Sequence, residues 1–118
     1  MITFLDPKNT RTGQHTTDGT PQSLNEKLAP SWNFLLLSTD DATGFHVHLR
    51  FDGNNADIPS NLPTAGNEKG ITLFLIAGSP QPVVFDAHKG LPVSICGVTG
   101  KTIFVSSAKV RTDSSGAV

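Results

Sequence analysis

Across residues 45–51 apolar and polar positions alternate without interruption. Phe45, Val47, Leu49 and Phe51 fall on one side, and His46, His48 and Arg50 on the other. A period of two predicts a strand with one face buried. Residues 32–38 and 71–76 are compact apolar runs that read as core strands. Each ends in turn chemistry, at Asp40-Asp41-Ala42-Thr43-Gly44 and at Ala77-Gly78-Ser79-Pro80. Shorter runs follow at 82–85, 91–95, 101–106 and 108–112. The prolines around 82–85 place that strand at a sheet edge, because proline cannot donate to a ladder. Six to eight short strands divided by Gly/Pro turns predict an all-β chain, a β-sandwich or small barrel, with a small β-sandwich or jelly-roll-like domain favoured.

The flanking segments have a different character. Residues 1–31 read as an extended N-terminal arm: an apolar patch, then an almost wholly polar stretch over 6–21 that cannot bury enough surface to order itself. Ser23 and Glu26 have capping-box spacing, with Leu24 and Leu28 one turn apart, and Pro30 stops any helix there. The expected organisation is arm 1–31, β-sandwich domain 32–112 and a flexible C-terminus at 113–118. Residues 52–70 form a long polar loop, and loops of this length are functional or disordered.

Composition narrows the function. Charged residues are 16% of the chain, and the net charge is −1 with neutral histidines. Ordinary soluble domains carry about 25% charged residues. Without a basic balance there is no electrostatic footprint for nucleic acid. The longest apolar run, 34–37, is far short of a membrane span. No signal-peptide pattern opens the chain, and the single cysteine, Cys96, cannot form an intrachain disulfide, so synthesis in a cytoplasm is expected.

Three constellations invite chemical readings. His46 and His48 project from one strand face, so both could reach one metal, with His88 a third ligand from a later segment. Glycine, His-x-His and a following acid resemble the first metal motif of the cupins, which are jelly rolls. That likeness implies a small metal-binding enzyme, although the glycine spacing differs and the second cupin motif is not reproduced around His88. The plainer reading makes His46, His48 and Arg50 the outer face of a strand. Gly97-Val98-Thr99-Gly100-Lys101-Thr102 ends like a phosphate-binding loop, but the first required glycine falls on Ile95 and a strand, not a helix, follows; a hairpin turn is expected. The Asp/Asn cluster at 52–57 lacks the spacing of a calcium loop. Cys96 ends an apolar strand and is expected to be buried rather than reactive. No serine lies in a nucleophile elbow. The chain is therefore expected to be a binding protein, not an enzyme, with no cofactor.

A small cysteine-poor, Thr/Asn/Gly-rich β domain with an N-terminal arm resembles the capsid decoration (cement) and vertex proteins of bacteriophages, in composition and architecture and through no specific motif. The resemblance implies a virion structural protein on the capsid surface. It would bind the major capsid protein or other virion subunits, form a homo-oligomer with trimers favoured, and bind neither nucleic acid nor membrane. Ile2, Phe4 and Leu5 would be the arm's anchors. Pro82, Val83, Val84 and Phe85 would form an edge strand available to a neighbour. A phage tail or receptor-binding module is the other reading of the same features.

Overall fold

A computed structural model describes residues 2–5, 7–85 and 92–112. Ten strands follow in order: β1 (Ile2–Phe4), β2 (Arg11–Thr16), β3 (Gln22–Ser23), β4 (Phe34–Ser38), β5 (Phe45–Arg50), β6 (Ile71–Leu75), β7 (Gln81–Val84), β8 (Ser94–Gly97), β9 (Thr102–Ala108) and β10 (Val110–Thr112). Their pairing is nested. β5 pairs with β6, β4 with β7, β3 with β8, β2 with β9 and β1 with β10, all antiparallel. The chain is thus one long hairpin, folded at 51–70. Rolling that hairpin brings β9 against β4 and β8 against β5. The result is a first sheet β2-β9-β4-β7, a second sheet β3-β8-β5-β6 and a separate ribbon β1-β10. This strand order is that of a jelly roll.

Residues opposite one another in an antiparallel pair share a face, so the register assigns the core. Leu35, Leu37, Val83, Ile103 and Val105 point inward from the first sheet. Phe45, Val47, Leu49, Leu75 and Ile95 point inward from the second. The alternation expected at 45–51 is realised in β5, where Val47 and Leu49 are fully buried. Trp32 of the β3–β4 connection, Phe51 after β5 and Phe85 after β7 lie at one end of the sandwich. There they form an aromatic triangle with ring centroids 4.6–6.4 Å apart.

The opposite end is tied by polar groups. The β8–β9 connection, expected as a hairpin turn, instead carries the chain from the second sheet to the first. Thr17 organises this corner. Its Oγ1 donates to the Val98 carbonyl and accepts the Lys101 N–H, while its carbonyl accepts the Gly100 N–H at 2.7 Å. Asp41 organises the neighbouring turn, where its Oδ1 accepts the N–H groups of Thr43 and Gly44 and its Oδ2 meets Lys101 Nζ at 2.9 Å. These contacts hold the Asp41 carboxyl well below the usual carboxylate range, the Lys101 ammonium first among them.

The first 31 residues differ from the expected arm. β2 pairs along its whole length with β9, and Leu24, Leu28 and Ala29 belong to the core. The polar sequence Arg-Thr-Gly-Gln-His-Thr is ordered because its backbone completes the edge of the first sheet. It needs little apolar surface, since only His15 among its side chains is buried. The turn expected after Ser23 is a 3-10 turn at Asn25–Lys27, entered by an Asn25 N–H bond to Ser23 Oγ. Residues 113–118 lie outside the described residues.

The ribbon leaves the first sheet through an unusual joint. Asn33 Nδ2 donates to the Val110 carbonyl at 2.8 Å and Asn33 Oδ1 accepts the Val110 N–H at 2.7 Å. A side-chain amide thereby takes the place of a ladder partner. Val110 stays fully bonded while the chain turns away to meet β1.

Candidate functional site

The two outer sheet faces are built differently. On the second sheet, His46, His48 and Arg50 face outward, as alternation predicts, together with Ser94 and Cys96. Yet His48 and Cys96 are only 2% and 1% exposed, because residues 52–70 fold back over them. His48 is the clamp. Its Nδ1 accepts the Asp57 N–H at 3.0 Å, which puts the ring proton on Nε2, and Nε2 lies 2.8 Å from the Lys69 carbonyl. Ser94 Oγ accepts the Ala56 N–H at 2.9 Å. Arg50 bonds Asp52 at the start of the segment and Glu68 near its end, at 2.5 and 2.6 Å. Gly70 closes it with φ +102°, and a Cβ there would stand 2.2 Å from the Leu49 carbonyl. The long loop is thus a fastened flap.

This arrangement bears on the metal reading. His48 has no lone pair left for a metal, since its acceptor nitrogen is bonded to Asp57. His46 is exposed and stacks on Phe74 at 4.9 Å. His88 lies outside the described residues. Among the described residues, no three His, Cys, Asp or Glu side chains gather as a metal site. Asp52 and Asp57 in the acidic cluster spend their oxygens on Arg50 and on the loop's own N–H groups. Cys96 is buried, as expected, and burial pushes its thiol pKa up. That is the opposite of what a nucleophilic thiol requires.

The first sheet presents a half-exposed, largely apolar outer face. Phe34 and Leu36 of β4, Phe104 and Ser106 of β9, Pro82 and Val84 of β7 and Thr12 of β2 stand on it by register. Phe4 of the ribbon meets Phe34 edge-on at 6.5 Å. Phe4 and Leu5 are 53% and 52% exposed, and Val84 is 38% exposed. Between ribbon and sheet lies a groove of about 310 Å³ lined by Phe4, Arg11, Thr12, Phe34, Leu36 and Ser106.

The residues singled out from sequence distribute unevenly over this face. Phe4 belongs to it, Leu5 is exposed beside it, and Ile2 contributes backbone to β1. Their setting is a paired ribbon and not a free arm. β7 is an edge, as its proline implies, but Val83 points into the core. Phe85 N–H bonds inward to the Asn33 carbonyl at 2.8 Å, so at the strand period the outward N–H positions of β7 are 82 and 84. Pro82 has no N–H, so this edge is blunted for strand addition. Phe34, Leu36 and Arg11 were not singled out. The signal for the first two was present: in a strand whose inner positions are Leu35 and Leu37, the outer ones are also apolar.

No protein-family model, curated protein or solved structure matches this chain.

Proposed function

We propose that this protein is a virion structural subunit, a capsid decoration protein that binds neighbouring shell subunits through the outer face of its first sheet. The observation that carries the reading is the apolar cluster on that face: Phe4, Leu5 and Val84 are exposed beside the half-buried Phe34, Leu36 and Phe104, whereas on the second sheet the flap covers His48 and Cys96 and leaves Phe74 exposed. An exposed face of this kind lowers free energy when a partner covers it, at about 25 cal/mol per Å² of apolar area removed from water. The sandwich supplies a body that changes shape little, so the ordering cost of association is small. A homotrimer packed around shared apolar faces fits the same surface.

The test uses particles from the source in which the chain is made. An antibody to the chain follows it through nuclease and detergent treatment and a density gradient. Co-sedimentation with intact shells, and its loss for a Leu36→Asp variant that still folds, is the expected result. A chain that stays at the top of the gradient at its own 12.5 kDa, or carries a stoichiometric metal, would overturn the proposal.

A further inference from the structure

We infer that β6 is a self-association edge. Two copies of this chain pair β6 with β6, antiparallel, about a two-fold axis at Leu73, and their second sheets join into one sheet of eight strands. This contact lies apart from the docking face proposed above and goes beyond it.

The two main sheets have four edges: β2 and β7 on the first, β3 and β6 on the second. An open edge invites another strand, and proteins guard against this with charge, proline or brevity. β7 carries Pro82, β3 is two residues long, and β2 is polar, with Arg11 at its start. β6 has none of these guards. Its sequence is Ile-Thr-Leu-Phe-Leu, without charge or proline, and Ile71 and Phe74 are 37% and 42% exposed.

The backbone defines the conformation of the occupant. Ala77 N–H bonds to the carbonyl of Asp41, in the turn that leads into β5, at 2.9 Å. At the period of the strand, the N–H and C=O groups of Thr72 and Phe74 therefore point away from β5. Nothing among the described residues bonds them. The Phe74 ring does not screen them. It leans back across β5, 4.9 Å from His46 and against Gly44, where a Cβ would collide with it. Two donors and two acceptors at strand spacing are what an added strand recognises.

Symmetry and charge identify that strand as a second copy. Thr72 and Phe74 flank Leu73, so an axis at Leu73 sets Thr72 opposite Phe74 of the second copy, and Phe74 opposite Thr72 of the second copy. The vacant N–H groups of each copy then meet the vacant carbonyls of the other. The same register sets Ile71 against Leu75 and Lys69 against Ala77, so no like charges meet. Isologous pairing consumes the edge on both copies and closes the assembly. Five residues make a small contact, so the product is a weak, concentration-dependent dimer.

Sedimentation equilibrium of the full chain over a concentration series tests this, and reversible monomer–dimer exchange is the expected result. Thr72→Pro removes an outward N–H but no ladder bond to β5, and should weaken dimerisation about tenfold or more. Ile71→Lys, at an exposed position, should do the same, and keeps the test decisive if the proline variant does not fold. Cross-linking reads the register. Leu73→Cys falls in a non-hydrogen-bonded pair on the axis, with Cα atoms about 4.5 Å apart, which suits a disulfide. Mild oxidation should give a covalent dimer of Leu73→Cys and none of Ile71→Cys, which lies opposite Leu75; the native Cys96 is buried. A monomer at every concentration, a dimer indifferent to Thr72→Pro and Ile71→Lys, or equal cross-linking of the two cysteine variants would overturn the inference. So would a dimer lost in Leu36→Asp but kept in Thr72→Pro, which would move self-association to the first sheet.

Discussion

Replacing His48 by alanine should uncover Cys96. The two residues are register partners on the outer face of the second sheet, and the flap that hides one is fastened by the other. The variant loses two hydrogen bonds, from Asp57 N–H and to the Lys69 carbonyl. Each contributes about 0.5–1.5 kcal/mol net. With the lost packing of a buried ring, flap opening should become easier by about 2–3 kcal/mol. At 1.36 kcal/mol per decade this is roughly a 30- to 150-fold larger opening constant. Cys96 is the single cysteine, so its labelling by an aromatic disulfide under native conditions reads that constant without ambiguity. Comparison across variants at one pH removes the effect of the raised thiol pKa. His46→Ala, altering an exposed ring on the same face, should leave the rate unchanged. Arg50→Gln should raise it by less, and in a salt-dependent way. A labelling rate in His48→Ala equal to that of the parent would refute the clamp, and with it the account of the long loop as a fastened flap.

Asn33→Ala strands a buried N–H and a buried carbonyl on Val110, at about 1–3 kcal/mol each, so the urea midpoint followed by Trp32 fluorescence should fall by the equivalent of about 2–6 kcal/mol. An unchanged midpoint would remove the amide joint from the account. Gly70→Ala forces a side chain into a left-handed backbone and against the Leu49 carbonyl, and should cost more than about 2 kcal/mol in the same assay. His15 is buried, with Nε2 unbonded, and its pKa is lowered from 6.5, chiefly by burial and then by Lys27. The unfolded chain therefore binds its proton first as pH falls. The contribution of His15 is intact above 6.5 and declines as pH drops from 6.5 through the lower folded-state value. Urea midpoints measured across that window should fall with acidity in the parent and more shallowly in His15→Gln, and parallel curves would exclude His15 as the titrating group.

Sequence patterning located the strands wherever one face is apolar. β4, β5, β6, β7 and β9 lie within two residues of their predicted bounds. β8 was placed three residues early at its start, because Pro92 and Val93 extend the apolar run without joining the ladder. β2 carried no such signal. Its inward-facing positions are Arg11, Gly13 and His15, none of them apolar, and its order comes from backbone bonds to β9, a partner some ninety residues away in the register. Long-range pairing of that kind leaves no local trace. The flap was legible as a loop but not as an ordered one. His48 and Arg50 looked like ordinary outer-face residues, and nothing in their spacing announces that Asp57, Glu68 and Lys69 return to them. The groove falls between these cases. Phe4 was visible as an exposed apolar residue, but its neighbour Phe34 lies across the sheet and the ribbon, and only the register joins them.

The nested pairing also dictates an order of assembly. Joining two segments costs chain entropy that rises with the length of the intervening loop, by about 0.6 kcal/mol per doubling when no inner pair has formed. Closing β5 against β6 first shortens every later closure, and each outer pair then zips onto the one before it. β1 and β10 are the last in that series. Phe4, which walls the groove, arrives with them. The groove is therefore completed only when the whole roll has closed, and if it binds as proposed, a partner that requires it would pass over chains that are still folding.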